Sequence, residues 1–265
     1  MSPPVALHST QVGSSGPRIA FCHGLFGQGK NWTSIARSLA PDYRSTLVDL
    51  PDHGRSGWTD EVSYPAMATA VGDLLDSQAP GETYTVVGHS MGGKVAMALA
   101  LLRPGLVQRL CVVDISPVHY ARLSSFADYV RGMRSLDLER LPDRAAAEAG
   151  LRAEVPDPVV RSFLLQNLRR EGQGWRWQMN LQLLGDHLDD LADWPALDVA
   201  PYPGPTLWLA GVESDYITGD YAPAMRALFP RVQLVRVKGA GHWVHSERPE
   251  VFLAALRNFV RSASI

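Results

Sequence analysis

A chain of 265 residues, 46% of them hydrophobic, holds enough apolar material for a substantial core, which argues against disorder. Its 25 Lys and Arg against 27 Asp and Glu leave a formal charge of −2, with no basic excess to bind nucleic acid or an anionic membrane surface. The longest apolar stretch, Val95 to Leu102, is far too short to span a bilayer, and the two cysteines, Cys22 and Cys111, sit in apolar strand-like runs that suggest buried small hydrophobes and no disulfide framework.

Met1 to Thr10 has neither a charged start nor a continuous apolar core, so a cytoplasmic chain is expected. Short apolar runs predict strands at Val5–Val12, Arg18–Cys22, Ser45–Val48, Tyr84–Val87, Arg109–Val113, Thr206–Ala210 and Gln233–Val237. Helical spacing falls between them at Asn31–Ala40, Tyr64–Gln78, Gly92–Leu102, Tyr221–Phe229 and Pro249–Val260. That alternation marks an α/β fold, a mostly parallel central sheet with helices on both faces. From Pro117 to about Pro203 the alternation stops. Apolar residues there recur at helical spacing, as in Phe126, Tyr129, Val130 and Met133, and no strand is predicted. The expected division is a core of residues 1–116 and 204–265 with a helical cap at 117–203, in which Arg169 and Arg170 read as a solvated helix end.

Chemistry concentrates at Gly88-His89-Ser90-Met91-Gly92, between the run Tyr84 to Val87 and the helix-like Lys94 to Leu102. This is the pattern of a nucleophile elbow, a sharp strand-to-helix turn that lifts a serine hydroxyl above the sheet edge. A serine is a weak nucleophile without a base to take its proton and an acid to orient that base. His242, in Gly239-Ala240-Gly241-His242 between the last strand and the last helix, is the candidate base. His245 lacks the glycine flanks, and His53, His89, His119 and His187 have no comparable setting. Two positions satisfy the order serine, acid, histidine: Asp114, at the carboxyl end of the Leu110 to Val113 run, and Asp215, after the strand Thr206 to Ala210. No histidine pair at helical i, i+4 spacing encloses a glutamate, so no metal is expected, and no G-x-G-x-x-G follows a strand, so no dinucleotide cofactor is either.

Four blocks, His23-Gly24-Leu25-Phe26-Gly27, Gly88 to Lys94, Val112-Val113-Asp114-Ile115-Ser116-Pro117 and Gly241-His242-Trp243-Val244-His245, together resemble the α/β-hydrolase superfamily. More narrowly they resemble the compact bacterial YbfF-type esterases and their mitochondrial homologues, which act on acyl esters and thioesters. The resemblance spans nearly the whole chain and is weak between Val118 and Tyr202. It implies the α/β-hydrolase fold and a triad of Ser90, His242 and Asp114, with Asp215 one place past the usual alternative position for the acid. It also implies an oxyanion hole from the amides of Met91 and Leu25, with Phe26 as the alternative to Leu25, and a His23 that holds its loop by hydrogen bonds. Expected substrates are small esters or thioesters of short to medium acyl chains. Tyr120, Phe126, Tyr129 and Trp243 are the pocket candidates, with Phe163, Trp175 and Trp177 as further cap aromatics. The loop Asp49 to Ser56 resembles a segment that the superfamily keeps beside the first catalytic loop. The same triad would also serve a carbon–carbon bond hydrolase, a cofactor-free perhydrolase, or a ligand-binding protein with slow turnover.

Overall fold

Alternate residues of the predicted strands part to opposite faces of one sheet, and this builds two cores. In the computed structural model, which describes residues 5–121 and 124–262, Ala20 and Cys22 join Val86 and Val112 on one face, while Ile19 and Phe21 join Val87 and Val113 on the other. Residues 1–4 and 263–265 of the expected core, and residues 122–123 of the expected cap, lie outside the described residues.

The sheet has seven strands: β1 (Ser9–Val12), β2 (Arg18–Cys22), β3 (Arg44–Val48), β4 (Tyr84–His89), β5 (Val107–Val113), β8 (Thr206–Gly211) and β9 (Val232–Val237). Their spatial order is β1-β3-β2-β4-β5-β8-β9; β1 pairs antiparallel with β3, and all other pairs are parallel. Every residue of β4 is buried, as a central parallel strand covered on both faces requires. The expected strand at Val5–Val12 pairs only from Ser9 onward.

One face carries α2 (Tyr64–Gln78), α3 (Met91–Leu102) and α9 (Ala222–Leu228); the other carries α1 (Thr33–Leu39), the short α10 (Val244–Glu247) and α11 (Pro249–Arg261). Ser63 caps α2 by accepting from the Ala66 amide, and Pro65 follows at the start, where its missing N–H costs nothing. Gly92, Gly93 and three alanines keep α3 slim, and its residues are buried all round except Leu102.

Between β5 and β8 the chain forms α4 (Ser124–Arg134), α5 (Arg144–Gly150), α6 (Pro158–Leu165), α7 (Leu181–Asp186) and α8 (Leu188–Ala192). Asp143, Asp157 and Asn180 cap three of these helices through their side chains. One expectation fails here. The segment holds a hairpin, β6 (Leu168–Glu171) with β7 (Gly174–Trp177), turned at Gly172, where φ is 57°. Arg169 and Arg170 therefore lie on a strand and not at a helix end. The Arg170 guanidinium stands over the Trp175 ring at 5.1 Å, so Trp175 packs within the insert, as does the buried Trp177.

The insert is stitched to the core by amides. Asn167 is buried and donates to the Phe26 carbonyl at 2.7 Å, and Asn180 donates through its backbone to the Asp52 carbonyl at 2.9 Å. No helix among the described residues is long and apolar enough to cross a membrane.

Candidate active site

Ser90 stands at the end of β4 in a backbone conformation that L-residues avoid, with φ 52° and ψ −122°. The turn is possible because the residues two places to either side, Gly88 and Gly92, lack side chains. A Cβ on Gly88 would meet the Gly92 carbonyl oxygen at 2.1 Å, and one on Gly92 would meet the His23 carbonyl oxygen at 2.3 Å. The Ser90 amide donates to the Val113 carbonyl at 3.0 Å, which ties the elbow to the end of β5.

Asp114 follows directly and is also strained, with φ 51°. Its carboxylate is fully buried and three donors surround it: His242 Nδ1 at 2.9 Å, the Gly211 amide at 3.0 Å and the Ser214 hydroxyl. A buried carboxylate is tolerated only with such partners. Asp215 lies one place past Ser214, yet it is exposed on the loop surface. Of the two candidate acids, Asp114 is the one that His242 contacts.

The His242 ring lies on Tyr216, with centroids 4.1 Å apart and an interplanar angle of 24°. His242 Nε2 is buried and meets no hydrogen-bond partner, so its lone pair or proton is free for a reacting group. Beneath it, His89 Nε2 donates to the His242 carbonyl at 2.8 Å and fixes the loop. Burial, and repulsion from His242 and His245, push the His89 imidazole well below its usual range. His245 is not poised as a base. It stacks on Trp32 at 4.2 Å, and burial lowers it to about 3.

The loop after β2 provides amides. His23 Nε2 accepts from the Leu50 amide at 3.0 Å and its Nδ1 pairs with the Gly24 carbonyl at 2.8 Å, so this histidine holds the loop. Burial lowers it to about 3, with repulsion from His53 adding to the effect. Phe26, at φ 62°, spends its amide on His53 Nε2 at 3.2 Å. That commitment argues against Phe26 as the alternative oxyanion donor. The Asp49 to Ser56 loop supports this arrangement, since Asp49 accepts from the Gly29 amide at 2.7 Å and the Arg55 amide at 2.9 Å.

Ser90 and His242 open on a cleft with about 500 Å³ of empty space, part of it open to solvent. Phe126, Tyr129 and Trp243 line it, joined by Val160 and Phe163 from α6. Tyr120 lines a second cavity on which Ser90 also opens. Sequence reasoning gave no role to His89, Ser214, Tyr216 or Lys94, whose positions depend on contacts across the chain. Among the described residues no cluster of three or more His, Cys, Asp or Glu could hold a metal ion.

The chain is similar to known proteins over most of its length. Residues 17–249 match the alpha/beta hydrolase fold family. Over 254 residues the chain is 39% identical to the sn-1-specific diacylglycerol lipase ABHD11 of Xenopus tropicalis, covering 94% of this chain and 79% of that protein. It is 32% identical over 242 residues to Esterase YbfF of Escherichia coli, covering 91% and 92%. A solved marine microorganism esterase matches with a TM-score of 0.93 at 33% identity, covering 96% of this chain and 99% of its own.

Proposed function

The chain belongs to the α/β-hydrolase fold family and is a carboxylic ester hydrolase of esterase and lipase type, and we propose that it works as a serine hydrolase through Ser90, His242 and Asp114. The observation that carries this reading is the Asp114 to His242 bond of 2.9 Å, beside a strained serine that shares a cleft with that histidine.

In the proposed reaction His242 Nε2 takes the Ser90 proton as the hydroxyl oxygen attacks the acyl carbonyl. The Asp114 carboxylate keeps the Nδ1–H tautomer facing it and stabilises the imidazolium. The Met91 and Leu25 amides receive the oxyanion, each such donor contributing about 10²–10³ in rate. Collapse of the tetrahedral adduct expels the alcohol or thiol, which takes the proton from His242, and leaves the acyl group on Ser90. Water, deprotonated by the same histidine, then releases the acid.

Residues 117–203 act as a cap in this reading: Phe126, Tyr129, Val160 and Phe163 close the cleft and select short to medium acyl chains. The test is covalent labelling by a fluorophosphonate with mass-spectrometric mapping. The label belongs on Ser90, and Ser90→Ala loses several orders of magnitude in kcat while its circular dichroism is unchanged. Full activity in a clean Ser90→Ala preparation overturns the reading.

A further inference from the structure

The balance of 25 Lys and Arg against 27 Asp and Glu conceals a local excess of positive charge beside the cap. Lys30, Arg55, Arg144 and Arg169 come from four separate stretches of the chain and lie close enough to repel one another. Arg169 also stands directly opposite Arg176 in the β6–β7 hairpin, a like-charge pairing that costs stability. Lys30, Arg55, Arg144 and Arg176 are exposed, and Arg169 is half-buried. Two of these side chains are held in place: the Arg169 guanidinium donates to the Gln166 carbonyl at 2.6 Å, and the Arg144 guanidinium to the Leu168 carbonyl at 2.8 Å.

Few anions answer these cations. Among the described residues the ion pair within the group is Arg176 with Glu171 at 2.9 Å, and Asp49 attracts Lys30 without pairing with it. Burial, then repulsion from Arg144, Arg55 and Arg176, accordingly holds the Arg169 guanidinium below its ordinary value. The group adjoins the Ser90 cleft. Asn31 lines that cleft and donates to the Gln166 side chain at 2.9 Å, on the residue whose carbonyl Arg169 holds. The two most exposed large apolar side chains among the described residues lie on the same segments. Trp58, 57% exposed, is on the loop of Arg55, and Val159, 75% exposed, is on α6, whose last carbonyl, that of Leu165, accepts from Arg144. Asp60 and Glu61 follow Trp58 and offset part of the positive field.

We propose that this basic face docks on an anionic lipid bilayer, with Lys30, Arg55 and Arg169 against the lipid phosphates and Trp58 among the headgroups. Cations open to solvent on several segments suit an extended array of phosphates better than a single small anion. An exposed tryptophan suits the boundary between headgroups and hydrocarbon, where the ring meets apolar material and its N–H stays wet. The carboxylates of Asp60 and Glu61 keep the attraction modest, so the binding is reversible and sensitive to salt. Docking needs no turnover and stands apart from the serine hydrolase reading; its consequence is that the cleft lies beside a surface rich in acyl esters.

The experiment is co-sedimentation of the full chain with vesicles of phosphatidylcholine alone and of an equal mixture of phosphatidylcholine and phosphatidylglycerol. At about 20 mM salt the wild type should bind the mixed vesicles at least about tenfold more tightly, and about 0.5 M salt should remove that preference by screening. Lys30→Gln combined with Arg55→Gln should weaken binding about 25-fold, about fivefold per charge, which corresponds to about 1 kcal/mol for each basic residue at an anionic surface. Arg226→Gln combined with Lys238→Gln removes the same charge from α9 and from the end of β9, and should change binding by less than about twofold. Equal weakening by the two pairs, or a wild type with no preference for the mixed vesicles, overturns the docking face. If the Lys30 and Arg55 variant does not fold, the wild type still decides, because binding to mixed vesicles that persists unchanged at about 0.5 M salt overturns a face built on these charges. Tighter binding to a short DNA duplex than to the mixed vesicles assigns the face to nucleic acid and overturns the lipid reading.

Discussion

Asp114 Oδ2 accepts from His242 Nδ1 at 2.9 Å, out of a carboxylate with no solvent exposure, while the neighbouring loop carboxylate Asp215 points to the surface. The same oxygen also accepts from Ser214, so the acid is held by contacts on both sides. Replacement by an isosteric amide keeps the shape and presents the wrong donor to the imidazole. Asp114→Asn is therefore expected to lose about 10⁴ in kcat, the cost of the wrong tautomer in a serine triad. Asp215→Asn should keep at least about a tenth of wild-type activity, a margin set by ordinary outer-shell losses. Steady-state kinetics on one ester for both variants check this, and the reverse ranking would move the acid to Asp215.

Most strands were legible as short runs rich in apolar and β-branched residues between turn-rich segments, and the observed bounds of β2 and α2 match the sequence reading residue for residue. The hairpin β6–β7 was not legible. Its strands are four residues long, too short to show alternation, and the paired Arg169 and Arg176 carry no strand signal. Its one clue was Gly172 with Gly174, a glycine-rich turn between a basic pair and two tryptophans. At the site, the motif residues were readable because they lie on loops at strand ends, whereas Ser214 meets Asp114 across 100 positions of chain. The direction of the Phe26 amide depends on a positive φ that composition does not encode.

The cleft wall contributed by α6 gives a prediction about chain length. Phe163 and Val160 line the same cleft as Ser90 and are remote in sequence from the triad candidates. Phe163→Ala should shift the preferred acyl length upward by at least one two-carbon step and leave the rate on an acetyl ester within about threefold. The basis is that each methylene fitted into an apolar pocket is worth about 1–3 kcal/mol of discrimination. A graded series of acyl esters measures it, and equal loss at every length would mean that α6 does not select the chain.

Two glycines separate a steric requirement from mere presence. A Cβ at Gly88 lands 2.1 Å from a backbone oxygen, while a Cβ at Gly105 meets nothing within 4 Å. Gly88→Ala should destabilise the fold by about 1–3 kcal/mol, as overpacking against a rigid backbone does, and should abolish most activity by shifting the elbow. Gly105→Ala should be neutral, or stabilising by about 0.4–1 kcal/mol, through the unfolded state. Urea titrations of the two variants test the contrast; equal midpoints would remove the steric account of Gly88.

Stability should fall in mild acid because of the buried histidines. Burial holds His23 and His245 at about 3, against 6.5 for a free imidazole. Above pH 6.5 both the folded and the unfolded chain are neutral at these positions, and the fold carries no protonation penalty. As the pH drops below 6.5 the unfolded chain gains protons that the folded one refuses, so each group removes about 1.4 kcal/mol of stability per pH unit, continuing down toward the folded value. Between pH 6.5 and 5, above the ordinary carboxylate range, the pair should account for about 2.2 kcal/mol per unit on average, the slope rising from half its limiting value at pH 6.5 as the unfolded imidazoles fill. Urea unfolding at closely spaced pH values reads the slope directly. His245 Nδ1 is buried without a hydrogen-bond partner and the ring stacks on Trp32, so His245→Phe preserves the packing and strands no donor. That variant should lose about one proton's worth of slope, and a wild-type profile that stays flat from pH 6.5 to 5 would show that these imidazoles are not held neutral by burial.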